Sequence, residues 1–196
     1  MIQTQGISCP NCGAAIGGDT LDCPYCGCRV YVTSFRDIAS MPFGRIEAYV
    51  NSCSRIPETD PKALTTRHSA GLCYLKLQMY EKAYETFTEE IRRNFNGSEA
   101  YFYAAASMLR GKKPFLAQRS TINEIESLLR AAFVAESRGI YLYFLAYIRY
   151  DYYERKHLNV TPDYRDYLAR SKAIGTPADD IRYLYLLLGT ERPACL

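Results

Sequence analysis

Two short cysteine motifs near the N-terminus hold the residues of this chain that are best suited to chemistry. Residues 9–13 read CPNCG and residues 23–27 read CPYCG, which gives the spacing C-x2-C-x10-C-x2-C. Each C-x2-C turn presents two thiolates, and four thiolates at tetrahedral corners suit Zn²⁺. Proline restricts φ, and the final glycine permits the positive φ of a turn beneath a metal. The predicted site binds one zinc ion through Cys9, Cys12, Cys23 and Cys26.

Two other chemistries use parts of the same pattern. Residues 23–26 also match the active-site tetrapeptide of glutaredoxin-like thiol oxidoreductases, and a rubredoxin-like iron site uses the same paired turns. The redox motif is expected where a strand leads into a helix. Here Gly27 follows at once, and the first cysteine pair would have no role. The pattern therefore favours zinc, with iron and thiol redox chemistry as alternatives. The fifth cysteine, Cys28, is expected to be a small side chain that packs beside the ribbon.

The paired motif resembles the short zinc-ribbon family over residues 7–32. Residues 14–16 and 21–22 are predicted to form two short strands around the turn signal GGDT, and residues 29–32 a third strand. A ribbon of this size buries too little apolar surface to fold alone, so zinc is expected to supply about 10–16 kcal/mol of stability. Because a closed four-cysteine site has no open position for substrate, the metal is predicted to be structural.

The charge of the ribbon argues against nucleic acid as its ligand. It contains Asp19 and Asp22 but no lysine or arginine before Arg29. Phosphate binding needs such cations, because they release counterions. We therefore expect the ribbon to face protein or to be purely structural.

The elements that follow the ribbon are predicted to be helices in a repeat. Gly71 aligns with Ala105, 34 residues further on, and Ala105 with Leu145 after another 40 residues. The first interval is the length of a helix-turn-helix repeat, and residues 64–97 resemble the tetratricopeptide family. Residues 42–56 are predicted to be the last helix of a preceding half-repeat. The predicted fold is mainly α: a short tetratricopeptide-like solenoid with a small N-terminal β zinc ribbon.

Three segments follow from these patterns. They are a zinc ribbon in residues 1–34, a connector with the half-repeat helix in residues 35–62, and helical repeats in residues 63–196. Proline and glycine punctuation predicts helices at residues 163–173 and 178–188. The second of these is expected to cap the stack.

The repeat register predicts a partner-binding groove. The first helix of each repeat lines the concave surface in the resembled family. The residues placed there combine cations with aromatic and aliphatic side chains, which suits an acidic or acidic-hydrophobic segment of another protein. The alternative is that Phe102 and Leu142 belong to the core and that the cations are solvated. The predicted groove residues are His68, Leu72, Lys76, Phe102, Ala106, Arg110, Leu142, Ala146, Arg149 and Tyr150.

Two further features have both a structural and a functional interpretation. Residues 110–119, RGKKPFLAQR, form a basic segment with Phe115 and Leu116 at its centre. We favour a long turn whose apolar pair packs, since apolar loop residues usually do; the alternative is a docking loop. The chain also has 18 tyrosines, six of them in one predicted helix at residues 141–153. Most are expected in the core.

Composition limits the function classes. Apolar residues make up 48% and charged residues 23% of the 196 residues, as in folded proteins. The net charge of +3 does not by itself indicate a nucleic-acid-binding domain. The first residues do not resemble a secretory signal, and the apolar run at residues 140–148 is too short to span a bilayer. We therefore expect a cytoplasmic protein without membrane contact, in a reducing compartment.

Catalysis finds little support in the sequence. The chain has two histidines, no glycine-rich phosphate loop and no H-E-x-x-H motif. Glu124 and Glu126 are two positions apart and so lie on different faces of a helix. The prediction is a non-enzymatic adaptor or scaffold that binds another protein. The alternatives are a nucleic-acid-associated zinc-ribbon factor and a thiol oxidoreductase that uses the CPYC pair.

Overall fold

The chain folds mainly into α-helices, which confirms the predicted fold class. Its contacts divide it into two units, residues 1–86 and 87–196, and each is described by itself. The sequence-based boundaries at residues 34 and 62 stay predictions. The structure is a computed structural model, and it describes residues 7–9, 12–16, 22–27, 32, 34–39, 41–53, 63–94 and 96–196.

The described elements are short strands at the N-terminus and helices thereafter. They are β1 (Ile7–Ser8), β2 (Ala15–Ile16), α1 (Phe35–Ala39), α2 (Phe43–Cys53), α3 (Ala63–Lys76), α4 (Tyr80–Arg93), α5 (Ser98–Met108), α6 (Arg119–Ala135), α7 (Gly139–Ile148), α8 (Tyr164–Ile174) and α9 (Ala178–Leu188). A 3-10 turn at Pro114–Leu116 precedes α6, and α7 continues into a π-helical turn at Arg149–Tyr153 and a 3-10 turn at Glu154–Lys156.

The first unit joins the cysteine-rich segment to helix α3. Strands β1 and β2 pair antiparallel, with Ile7 opposite Ile16. The backbone N–H of Val32 donates to Ser69 Oγ at 3.2 Å, and that hydroxyl donates to the Val32 carbonyl oxygen at 2.6 Å. Both residues are fully buried. Since α3 also packs against α1 and α2, it is the central helix of the described part of this unit.

Local signals define where the helices of the first unit begin. Ser34 precedes α1, and both its N–H and its hydroxyl donate to Asp37 Oδ2, at 3.0 and 3.2 Å. This is one half of a capping box. Helix α2 begins directly after Pro42, as predicted, while residues 54–56 of the predicted helix lie outside the described residues.

Helix α7 is the core of the second unit. All ten of its residues are buried, as expected of a helix that is apolar on every side. It packs against α6, α8 and α9, and Phe102 of α5 places its ring 5.5 Å from that of Tyr141 and 5.7 Å from that of Phe144. The prediction of core tyrosines is confirmed within this region by Tyr141, Tyr143, Tyr147, Tyr152 and Tyr153.

The single helix predicted for residues 141–153 is wrong in its second half. The α-helical path ends at Ile148, and the next five residues form the π-helical turn. Inside this turn the Asp151 carboxylate is buried and accepts a hydrogen bond from the Phe115 backbone at 2.7 Å. The extra residue of a π turn changes which side chains face inward. In this turn one of the inward-facing side chains is the acidic Asp151.

Helices α8 and α9 lie close to their predicted positions. Asp163 is the N-cap of α8 and forms a full capping box with Asp166, so the helix begins one residue later than predicted. It ends before Gly175, whose φ of +92° suits glycine. Helix α9 spans the predicted residues 178–188.

Candidate metal centre

The two cysteine motifs fold into the same turn. The Gly13 N–H donates to the Cys9 carbonyl oxygen at 2.9 Å, and the Gly27 N–H donates to that of Cys23 at 2.8 Å. Both glycines have positive φ, +72° and +67°. Cys9 also donates its N–H to the Ala14 carbonyl oxygen at 2.8 Å, directly after β1. The glycines therefore do what the sequence predicts, which is to bend the backbone beneath the sulfurs.

The turns bring all four predicted cysteines together. The sulfurs of Cys9 and Cys26 are 3.5 Å apart and those of Cys12 and Cys23 are 3.7 Å apart, and all four lie within 4.8 Å of one another. Four sulfurs bound to zinc at about 2.3 Å in a tetrahedron are about 3.8 Å apart. The spacing therefore fits one metal ion, and it is too long for disulfide bonds.

The first cysteine of each motif is covered and the second is open to solvent. Cys9 and Cys23 are 3% and 2% exposed, whereas Cys12 and Cys26 are exposed. One side of the cluster thus faces the interior with Ile16, and the other faces water.

The pKa of the Cys12 thiol shows how the sulfurs affect one another. A hydrogen bond from the Ala14 backbone lowers this pKa, but desolvation and contacts with the other three cysteines raise it, to about 12. A thiolate at Cys12 is unfavourable among the other sulfurs, so this thiol holds its proton. A divalent cation among them would reverse this balance, because a coordinated thiol is deprotonated.

Part of the predicted ribbon lies beyond what is described. The predicted strand at residues 14–16 corresponds to β2, but its partner is β1, which the sequence patterns did not indicate. The turn at residues 17–20, most of the predicted third strand and Cys28 lie outside the described residues. Within the described part of the chain, the four cysteines are the one group with metal-binding geometry.

The predicted groove needs correction at most of its positions. Leu72 of the first unit is buried, and so are Phe102, Ala106, Leu142 and Ala146 of the second. A buried side chain has no surface for a partner in the folded chain. For Phe102 and Leu142 the structure agrees with the alternative interpretation, which assigned them to the core.

Arg149 is also buried, and it forms an ion pair with Glu126. Its Nε lies 2.7 Å from Glu126 Oε1, and its Nη2 donates to Glu126 Oε2 at 2.9 Å. The side chains are 7% and 6% exposed. Arg130 also donates to Glu126 Oε2, at 3.0 Å. Glu126 was not among the predicted site residues, because its partner Arg149 lies 23 residues further along the chain and outside its own helix.

The other groove positions are at least partly accessible. His68 and Lys76 are half-buried, and Lys76 Nζ donates to the Ala39 carbonyl oxygen at 2.7 Å. In the second unit, Tyr150 is half-buried and Arg110 is exposed. Lys76 is therefore used in part for packing α3 against α1, whereas Arg110 belongs to the basic segment and extends into solvent.

The chain matches no protein-family model, no characterised protein and no solved structure. The resemblances to zinc ribbons and tetratricopeptide repeats therefore depend on the residues quoted above. Among the described residues, no helix combines the length and apolar character needed to cross a membrane.

Proposed function

We propose that the chain is a non-enzymatic adaptor or scaffold, with a structural zinc site at its N-terminus and a helical stack that binds another protein. The observation behind this proposal is the convergence of four cysteine sulfurs within 4.8 Å. Four thiolates complete the coordination of zinc, so no position is left for water or substrate. Such a metal contributes folding energy instead of chemistry.

The small size of the ribbon supports a structural role for the metal. Strands β1 and β2 have two residues each, and among the described residues of this segment the buried apolar side chains besides the cysteines are Ile16 and Val32. A metal is the usual source of stability in so small a fold. The zinc ribbon then holds residue 32 in position to bond with Ser69.

The redox alternative is less well supported by the sulfur contacts. Two of the short contacts, Cys9 to Cys26 at 3.5 Å and Cys12 to Cys23 at 3.7 Å, connect one motif to the other. A dithiol oxidoreductase needs its two sulfurs to react with each other and a substrate, with no second pair against them. We therefore place the CPYC pair in the metal site.

We place the protein in the cytoplasm. Cys9, Cys12, Cys23, Cys26, Cys73 and Cys195 form no disulfide bond, and the Cys73 side chain is buried. This pattern is typical of proteins from reducing compartments.

Metal analysis tests the zinc site directly. Purified protein should contain about one zinc per chain, and the variant C23S/C26S should contain none. Cys195→Ser, at an exposed cysteine outside the cluster, is the matched control and should keep the metal. Zinc retained by C23S/C26S would contradict the site, whereas iron in the wild type would identify the rubredoxin-like alternative.

Capture of the partner tests the adaptor role. The tagged chain, cross-linked in its source cells, should enrich a protein that also binds the purified chain directly. If the chain retains only nucleic acid after this procedure, the adaptor proposal is overturned in favour of the second candidate.

That second candidate, a nucleic-acid-associated zinc-ribbon factor, is favoured by one observation. Residues 110–119 contain four cations and no carboxylate, and all four are exposed. Cations of this kind bind phosphates. This candidate would be established if the chain bound heparin through these four cations and captured no protein partner.

A further inference from the structure

Residues 110–119 form an exposed basic loop between α5 and α6. Arg110, Lys112, Lys113 and Arg119 are all exposed. No aspartate or glutamate occurs between residues 109 and 123. In a chain with a net charge of only +3, this loop is therefore a local concentration of positive charge.

The loop is held in one conformation from beneath. Pro114 is buried, and the Phe115 N–H donates to the buried Asp151 carboxylate at 2.7 Å. The Phe115 ring lies 4.7 Å from the Arg155 guanidinium and 5.0 Å from the Lys156 ammonium. Because these contacts order the loop before any partner arrives, binding there costs little conformational entropy.

The outward face of the loop combines charge with one apolar side chain. Leu116 is 70% exposed although it directly follows the anchored Phe115. Across the part of the chain that the structure describes, Lys112, Lys113 and Arg119 have no carboxylate within ion-pair distance. No described carboxylate therefore neutralises these three charges, and the exposed Leu116 side chain lies in the same loop.

We propose that the basic loop is the docking site for an acidic segment of the partner protein, and that an apolar side chain of this segment packs on Leu116. This inference depends on the adaptor function proposed above and moves its binding site away from the buried groove positions. The lysines and Arg119 attract the acidic segment and increase the association rate, while Leu116 adds a desolvated contact. Phe115 packs, as the first interpretation of this apolar pair predicted. Leu116 is exposed, as the docking-loop interpretation requires.

The aromatic rings around the loop argue against RNA as the occupant. Single-stranded nucleic acids stack their bases on open aromatic faces. Here Lys156 covers Tyr152 at 3.7 Å, and Arg119 covers Tyr153 at 4.6 Å. With Phe115 also covered, the rings next to the loop are already engaged by the protein's own cations.

A lipid surface also fits poorly. A surface element that inserts into a lipid interface is typically a helix with a broad apolar face. The loop contains a 3-10 turn of three residues with a single exposed apolar side chain, Leu116. An acidic peptide with one apolar side chain matches this surface better.

Fluorescence anisotropy with defined probes tests the proposal. The probe is a labelled oligoglutamate peptide with one central leucine, and the same peptide with a central serine is its counterpart. The wild-type chain should bind the leucine peptide more tightly, with an affinity that falls as salt rises. The variant K112E/K113E should weaken binding by about ten-fold or more. K82E/K172E changes the net charge equally, at lysines outside the loop, and should bind as the wild type does.

The variant Leu116→Ser isolates the apolar contact. It should weaken binding of the leucine peptide several-fold and leave the serine peptide unchanged, which a purely electrostatic surface would not do. Circular dichroism melting should show that all three variants remain folded, because the substituted side chains are exposed.

Three results would overturn the proposal. The first is equal weakening by K112E/K113E and K82E/K172E, which would show that only net charge matters. The second is tighter binding of oligouridine RNA or phosphatidylserine vesicles with the same dependence on Lys112 and Lys113. The third is a captured partner protein whose binding is unaffected by the loop variants, which refutes the loop but leaves the adaptor function standing. Absence of any protein partner refutes the adaptor function itself.

Discussion

At the scale of single residues, Gly139 shows how closely the second unit is packed. A Cβ atom there would overlap Thr176 Oγ1 and lie 2.8 Å from the Gly175 carbonyl oxygen. Ser171 Oγ also donates to the Gly139 carbonyl oxygen at 2.9 Å, so the surrounding groups are fixed by hydrogen bonds. The first turn of α7 and the end of α8 can therefore approach only because this residue has no side chain.

Gly139→Ala is expected to reduce the free energy of unfolding by about 1–3 kcal/mol, because the methyl group forces backbone apart. Urea denaturation measures this change. Gly44 offers the control, since it lies within α2 and has no atom within 4 Å of a built Cβ. Gly44→Ala should instead stabilise the protein by about 0.5–1 kcal/mol. A neutral effect of Gly139→Ala would show that the contact is not close in solution.

Glu126 and Arg149 are the buried ion pair of the second unit. We expect Glu126→Gln to lower the free energy of unfolding by about 3–5 kcal/mol, because it leaves a buried guanidinium without its counter-charge. The double variant E126L/R149M should cost much less than this, since it removes both charges together. Glu89→Gln breaks the exposed pair with Arg93 and should cost less than about 1 kcal/mol. If Glu126→Gln and Glu89→Gln cost the same, the pair is solvated rather than buried.

The burial of Arg149 could not be predicted from its position in the sequence. Its partner Glu126 lies 23 residues earlier, on a different helix. The cysteine site differs in this respect, because each motif makes its own turn and only one loop closure is needed. Local spacing therefore indicated Cys9, Cys12, Cys23 and Cys26, whereas the ion pair depends on how α6 packs against the π-helical turn.

At the scale of elements, α8 depends on a capping box. Asp163 accepts hydrogen bonds from the backbone N–H groups of Arg165 and Asp166 at 2.8 and 3.0 Å. The bond from Asp166, together with the bonds and charge of Arg165, lowers the pKa of Asp163 below its ordinary value of 3.8. The carboxylate form thus stabilises the start of the helix.

Asp163→Ala should lower the free energy of unfolding at neutral pH by about 1 kcal/mol. Since the folded-state pKa is lowered, the charge-dependent part of this stability is present above the unfolded-state pKa near 3.9. It disappears as the pH falls through the lower folded-state value. Thermal melting at several pH values should therefore show the wild type and the variant converging below about pH 4. Asp179→Ala, in the first turn of α9 but not its N-cap, should give a smaller and less pH-dependent difference.

Element boundaries were easier to predict than the exposure of element faces. Pro177 and Gly189 delimit α9 by local backbone chemistry, so its bounds at residues 178–188 follow from the sequence. The repeat register correctly predicted that Phe102 and Leu142 lie on helices. It did not predict that other helices cover both side chains. Coverage is decided by neighbouring helices, and these contacts involve residues far apart in the chain.

At the scale of the whole molecule, the proposed zinc site is expected to stabilise the first unit only. Val32 connects the cysteine-rich segment to Ser69 of α3 by two buried hydrogen bonds. The core of the second unit is built from its own helices, α5 to α9. Loss of the metal should therefore loosen the first unit as far as α3 while the second unit remains folded.

Hydrogen exchange read by mass spectrometry checks this expectation. Removal of zinc by a chelator should accelerate exchange in peptides from residues 7–39 and from α3, and leave α6 and α8 unchanged. The variant C23S/C26S should reproduce the pattern without chelator. If exchange accelerated equally along the whole chain, or did not accelerate in α3, the metal would not stabilise the first unit selectively.

The complete burial of α7 has a consequence for how the protein is made. The helices α8 and α9 that cover it are synthesised later, and about 40 residues separate Ile148 from Leu188. At about 5–20 residues per second, α7 waits about 2–8 s on the ribosome before its covering helices exist. During this interval its ten-residue apolar stretch lacks the helices that bury it in the folded protein. We therefore expect a chain truncated by a premature stop codon before α8 to leave this stretch exposed after release and to aggregate.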